Sequence, residues 1–352
     1  MASSLNNSAW LEWMASLMAG VSGEGVSRQT YAATLPPDRF YCLLDELPLH
    51  LVPQRAQRSL QVPNVREQPL VLNPECIICE GEEIPEELSS RGDLLGGFAL
   101  QGTVAWVRSR TTGNLLPFWL GPELERVIRS LRPDEAVPAL VEETHQRVLL
   151  AAGILQSQGH AERDHQPNQN FRNASLSFRA KDYAPIGDLI HPFHVAALRR
   201  YYRYLIRSGA IRLGDGQSPR RYVAYNEPVA RFFHHDIAAA LSMVAGELLK
   251  PSYVYLASYL SGAELKKHTD REQCEFSVTL CLDFSPEPVL ATSWPIQLDT
   301  PKGPVKVYQA LGDALAYRGT RLPHYREPLR EGQTSTSIFF HYVANDFAGS
   351  LD

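Results

Sequence analysis

From residue 251 to about 345, apolar and polar side chains alternate with a period of two in one short run after another. Tyr253, Tyr255, Ala257 and Tyr259 fall on one side of the first run, and Val254, Leu256 and Leu260 on the other. Phe276, Val278, Leu280 and Leu282 then alternate with Ser277, Thr279, Cys281 and Asp283. Successive side chains of a strand point to opposite faces, so such a run reads as a half-buried strand. Residues 305–311, 314–318 and 335–343 add three more, with Gly312-Asp313 as a turn between the first two. A series of short strands of this kind predicts a small barrel or jelly roll whose mouth holds a ligand.

Inside this series lies His268-Thr269-Asp270. In an extended segment positions i and i+2 share a face, so the imidazole and the carboxylate can grip one ion. His324, 56 residues after His268, lies near a later strand. It would complete two nitrogens and one oxygen on one face of a metal, leaving the opposite face open for a co-substrate and dioxygen. Taken alone, His324 reads as a satisfied loop histidine; with its partners, the metal reading stands ahead. The chain carries its own control, His234-His235-Asp236. That triplet lies in 226–250, where Val229, Phe233, Ile237, Leu241, Val244 and Leu248 recur at helical spacing. Two positions on a helix span a turn of roughly 200°, so the triplet is predicted to be helix surface without a metal role.

Tyr259-x-x-Gly262, His268-x-Asp270, Gly312-Asp313 before a strand, and His324 followed by Pro328 and Gly332 form a succession. It resembles the Fe(II)/2-oxoglutarate-dependent dioxygenases, most closely their prolyl-4-hydroxylase-like branch. The resemblance covers about the last 95 residues. It implies an α+β chain: a C-terminal double-stranded β-helix (jelly-roll) barrel with helical support, and an N-terminal α+β extension. It implies His268, Asp270 and His324 as catalytic ligands of Fe(II), with 2-oxoglutarate and dioxygen as co-substrates. Tyr255 or Tyr259 would donate a hydrogen bond to 2-oxoglutarate, plain barrel packing being the alternative for both. Halogenating relatives replace the carboxylate that Asp270 keeps, so hydroxylation of an unactivated C–H is the implied reaction. An amino-acid or peptidyl substrate, a small molecule or a peptide, goes with the branch.

One position departs from the family, which carries Arg or Lys nine to eleven residues after the distal histidine. Gln333, Thr334 and Ser335 stand there. A buried carboxylate needs a cationic or multiply hydrogen-bonded partner. Arg326 and Arg330 are the nearest substitutes, with Thr334 or Thr336 as added hydroxyl donors; ordinary exposed arginines, and a cation from another strand, are the alternative. Two other functions stay open: an inactive barrel acting as a binding module, and a cupin-like metalloenzyme that does not use 2-oxoglutarate.

The remaining sequence bounds the setting. At 352 residues and 44% apolar composition the chain suits a large core. A net charge of −5 lacks the basic footprint of a nucleic-acid binder. Five cysteines, few and odd in number, point to a reducing compartment and a cytoplasmic location. No apolar run reaches the ~18–20 residues of a membrane span. Residues 1–21 read as a helix and, with Glu12 and no basic start, as a poor signal peptide. Three regions are expected: 1–155 as an α+β region, winged-helix-like or a plain structural extension over 69–155; 156–182 as a polar linker or loop containing His160 and His165; and 183–352 as helices plus barrel. Helices are predicted over 38–47, 121–131, 134–152, 192–208 and 226–250, the last capped by Asn226. Cys76-Ile77-Ile78-Cys79 has no second ligand pair for zinc and reads as core.

Overall fold

The computed structural model describes residues 34–46, 52, 69–133, 135–157 and 169–352. The expected helix 1–21, most of the connection 48–68, and His160 and His165 lie outside them.

The N-terminal part holds β1 (Leu70–Leu72), β2 (Ile77–Glu80), β3 (Thr103–Arg108), β4 (Leu115–Leu120), α1 (Pro122–Ser130), α2 (Glu143–Ala151) and β5 (Leu155–Ser157). Strands β2, β3 and β4 form an antiparallel sheet, and β1 pairs with β5. Then follow α3 (Gln169–Lys181), β6 (Tyr183–Ile186), α4 (Pro192–Arg207), β7 (Arg212–Leu213), β8 (Arg221–Tyr225), α5 (Pro228–Asp236) and α6 (Ala238–Ala245). The C-terminal strands are β9 (Leu249–Tyr259), β10 (Leu265–His268), β11 (Phe276–Ser285), β12 (Ile296–Thr300), β13 (Gly303–Val307), β14 (Ala314–Arg318), β15 (His324–Arg326) and β16 (Thr334–Ala344).

Two antiparallel sheets hold the C-terminal strands. The larger has the order β6-β14-β11-β16-β9-β8-β7, the smaller β10-β15-β12-β13. The chain crosses between them repeatedly, so that β9, β11, β14 and β16 belong to one and β10, β12, β13 and β15 to the other. Ile296 and Leu298 of the smaller sheet pack on Leu315 and Tyr317 of the larger. Trp294, Leu311 and Leu329 close on Tyr259, Cys281, Phe284 and Phe339.

The opposite face of the larger sheet carries Val254, Leu256, Val278, Leu280, Ile338 and Phe340, which join the main core. That core runs without a break through Phe178, Leu198 and Phe233 on the helices to Phe40, Trp106 and Trp119 of the N-terminal part. Strand β11 is therefore buried on both faces, not half-buried. Its alternation separates an apolar row facing helices from a polar row facing the smaller sheet.

Several predicted elements shift for local reasons. Residues 38–46 form turns and bridges rather than a helix, because Phe40 and Leu43 pair with Phe98 and Trp119. Helix α2 starts at Glu143; Pro138, which cannot donate a backbone bond, lies in the non-helical stretch before it. The second half of the expected linker is helix α3, whose Phe171, Ala174 and Phe178 enter the core. The single helix predicted over 226–250 is two, ended by the left-handed Gly246 (φ 79°). Its cap is Glu227, not Asn226: the Glu227 carboxylate accepts from Val229 N (3.2 Å) and Ala230 N (3.0 Å) and from the Tyr201 and Tyr202 hydroxyls. Arg199, on the basic-aromatic helix α4, is fully buried and pairs with Asp283 (3.1 Å) and Glu287 (2.8 Å) beside β11.

The control triplet is also corrected: His234 and Asp236 are buried, because α5 lies between β16 and the β3–β4 turn. His234 Nε2 donates to the His341 carbonyl (2.7 Å), and Thr112 donates to Asp236 Oδ1 (3.0 Å). Burial pushes the Asp236 carboxyl up to about 7, with Thr112 and Asn114 pulling partly against it. A folded pKa above the unfolded one means that the folded state holds the proton longer. This stabilisation is complete below the unfolded value of 3.8 and is lost as pH rises toward about 7. Asp236→Asn is therefore expected to melt several degrees above the parent at pH 8, with the gap closing toward pH 4 in thermal scans; a gap that ignores pH would refute the assignment.

Candidate metal centre and its cavity

The antiparallel register of β10 and β15 sets His268 directly opposite His324. This pairing explains how residues so far apart in sequence meet; their ring centroids are 4.4 Å apart. Strand β10 ends at His268, and Asp270 lies just beyond it, with its N–H donated to the Gly319 carbonyl (2.9 Å). Asp270 Oδ1 is 3.5 Å from Nε2 of each histidine. The ligand atoms of all three residues lie within 4.8 Å of one another.

The other ring nitrogens are already committed. His268 Nδ1 is 2.8 Å from the Lys266 carbonyl, and His324 Nδ1 is 3.0 Å from that of Leu322. A carbonyl oxygen only accepts, so each Nδ1 carries a proton and each ring turns its Nε2 toward the carboxylate. Two ring nitrogens and a carboxylate thus converge, and either a proton or a cation between them resolves the arrangement. Burial raises the Asp270 pKa, but the bonds to His268 and His324 outweigh it and hold the carboxyl far below its usual range. Hydrogen bonding to Asp270 raises that of His268.

A second set of groups fixes Asp270 from behind. Ser277 Oγ donates to Asp270 Oδ2 (2.6 Å) and is 3.0 Å from His341 Nδ1. Burial holds His341 down at about 4, so its neutral ring can donate that Nδ1–H to Ser277. Cys274 and His341 also come within 4.8 Å of Asp270, and the Cys274 thiol is engaged by the Tyr253 hydroxyl (2.8 Å). Gly319 leaves the carboxylate its room: a Cβ there would lie 2.1 Å from Asp270 Oδ2 and 2.7 Å from Ser277 Oγ.

These residues open onto a cavity of about 540 Å³, lined by Tyr225, Tyr253, Tyr255, Tyr259, Tyr317, Phe339, Asp215, Arg221 and Arg271 among others. Arg221 on β8, opposite Tyr259, is buried and bonded to Asp215, to Gln217 (2.7 Å) and to the Tyr259 hydroxyl (3.2 Å). Tyr255 donates to the same Asp215, so its proton is spent; Tyr259 accepts from Arg221 and keeps its own proton for another acceptor.

Arg326 is buried two positions after His324, beside the cavity residues Tyr259 and Tyr317. It donates to the Trp294 carbonyl (2.7 Å) and to Gln309 Oε1 (3.2 Å), and its Nε has no partner. Among the described residues no carboxylate pairs with it, although a buried charge without a counter-charge costs on the order of several kcal/mol. Arg330 is exposed and off the cavity wall, and Thr336 donates to Ser258 (2.8 Å). The site thus gathers His268, Asp270, His324, Tyr255 and Tyr259, keeps Arg326 beside them, and leaves Arg330 outside. Sequence reading missed Ser277, Gly319, His341, Arg221, Asp215 and Arg271. The polar row of β11 was the one available hint, because the others are ordinary residues until the strands pair.

No protein-family model and no curated protein matches this chain. Solved structures overlap about half of it. One is SnoN, a non-heme alpha ketoglutarate dependent epimerase from nogalamycin biosynthesis: 14% identity, 49% of this chain and 82% of that one, TM-score 0.42. Another is a prolyl-4-hydroxylase from Pseudomonas putida: 14% identity, 50% and 99%, TM-score 0.42. A third is AviO1 from Streptomyces viridochromogenes Tue57: 18% identity, 53% and 100%, TM-score 0.43. With TM-scores below 0.5, these overlaps support no inference about this chain's chemistry. No helix among the described residues is long and apolar enough to cross a membrane.

Gly319→Ala is expected to keep the far-UV circular dichroism of the parent while weakening Co(II) binding, read by calorimetric titration, by roughly tenfold or more. Unchanged affinity would show that the Asp270 carboxylate does not need this space.

Proposed function

We propose that this chain is an Fe(II)/2-oxoglutarate-dependent oxygenase that hydroxylates an unactivated C–H bond of a small molecule or an amino-acid or peptidyl side chain. One observation carries the reading: two Nε2 atoms and a carboxylate oxygen meet with both Nδ1 protons already given to carbonyls. Two nitrogens and one oxygen on one side, with a cavity on the other, suit iron that keeps open positions. The residues present fit the group. His268, Asp270 and His324 would hold the iron, and Ser277 would keep Asp270 turned toward it. Arg326, buried without a counter-charge, suits the far carboxylate of 2-oxoglutarate, and Tyr259 has a proton to donate. Tyr255, Thr336 and Arg330 drop out of that role.

Iron bound with 2-oxoglutarate and dioxygen would supply the oxidising chemistry; the protein's share is to orient the ligands, exclude water and position the substrate. With iron held there, Asp270 would take the place that a halide would need, which favours hydroxylation. Within this reading, 183–352 is the catalytic domain, its interleaved strands a double-stranded β-helix, and 1–155 an α+β extension.

Purified protein is expected to bind Fe(II) without oxygen, to change its visible absorption on adding 2-oxoglutarate, and to form succinate in air. His268→Ala should abolish all three, and His235→Ala should leave them intact; the buried His234 cannot serve as that control. Iron binding with no response to 2-oxoglutarate would mark a cupin-like enzyme, and no iron binding a binding module. Arg326→Gln should raise half-saturating 2-oxoglutarate roughly tenfold or more while iron affinity holds; an unchanged value would remove Arg326 from the site.

A further inference from the structure

The charges on the cavity wall are unevenly matched. Arg221 is saturated by Asp215, Gln217 and Tyr259, and Asp270 is engaged by two histidines and Ser277. Arg271 differs. It is exposed at the cavity, one residue past Asp270, and its partners, Tyr253, Tyr225 and Cys274, are neutral. Its guanidinium carbon lies 4.6 Å over the Tyr253 ring, and its Nε is 3.4 Å from the Tyr253 hydroxyl. Among the described residues no carboxylate pairs with it. Tyr253 stacks in turn on Tyr225 (5.0 Å, 28° between planes), which is 47% exposed.

A guanidinium carries five N–H donors, so one lying over an aromatic face with only neutral partners keeps its charge and further donors for the oxygens of an anion. The stacked tyrosines beside it offer a planar, half-wet surface. A cavity of about 540 Å³ is sized for a small molecule. Arg326 lies inside the barrel, so the two cations serve different groups.

We infer that the molecule taken by this cavity carries an oxyanion, a carboxylate or a phosphate, which pairs with Arg271 at the mouth while a planar or apolar part lies along Tyr253 and Tyr225. This deepens the proposed function by naming a substrate class, and it rests on that reading only for what happens to the bound molecule.

The test uses the full chain without metal, titrated by ligand-observed NMR with benzoate, phenyl phosphate and the neutral benzamide. Both anions, or one of them, should bind more tightly than benzamide. Arg271→Gln should weaken the anion roughly tenfold and leave benzamide unchanged, while the exposed Arg330→Gln leaves all three unchanged. The anion that loses more identifies the group. Equal binding of charged and neutral probes, no anion binding at millimolar concentration, or equal losses in the two variants would overturn the inference. No metal and no turnover enter these measurements. Failure here therefore leaves the oxygenase reading standing, and absence of succinate formation beside Arg271-dependent binding would overturn that reading alone.

Discussion

The site depends on one register: β10 against β15, with His268 facing His324. Slipping this pair by one residue would turn one imidazole to the other face of the small sheet. The pairing brings together two groups that want the same proton or the same cation, and nothing in the strands themselves resolves the conflict. Carbonyls two residues back take the Nδ1 protons, and a carboxylate anchored through Gly319 and Ser277 closes the third side. A fold that concentrates acceptors in this way is stable as a binding site for positive charge more than as a packed interior.

The larger sheet makes such a polar interior tolerable. Its outward row of Val254, Leu256, Val278, Leu280, Ile338 and Phe340 joins a core that extends to Phe40 and Trp119. Apolar burial on that side, at about 25 cal/mol per Å², offsets the cost of carrying Ser277, Thr279, Ser337 and His341 on the inner side. The N-terminal residues thus contribute to the site without touching it. Helix α5 is the link: Glu227 caps it and accepts from two tyrosines of α4, and its His234 holds the carbonyl of His341, whose ring reaches Ser277.

Local periodicity carried much of the C-terminal strand series. Strands β9, β11, β14 and β16 were legible because alternation survives in any strand with one polar face, and the ligand triplet was legible by spacing. The faces were harder. Ser277, Thr279 and Cys281 look like a solvent row, and only the second sheet turns them inward. His234 looked like surface because helical spacing tells which residues share a side, not whether another sheet covers that side. The helix inside the expected linker reflects core contacts of Phe171 and Phe178 that polar composition conceals. Gly319 and Arg221 act through positions that exist only after pairing, so no motif marks them.

Three arginines near the centre show how environment sorts identical side chains. Arg221 is buried and matched by Asp215, and so works as a brace for the tyrosine wall. Arg326 is buried and matched only by neutral oxygens and an indole face at 4.6 Å, a state that a ligand carboxylate would relieve. Arg271 is open to solvent on a tyrosine face, where its charge costs little and stays available. Burial without a counter-ion argues for a small, deep anion that reaches the space between the two sheets. Exposure beside stacked rings argues for a larger one held at the mouth. On the proposed reading, the difference between those two settings, rather than the count of positive charges, would separate a co-substrate position from a substrate position in this cavity.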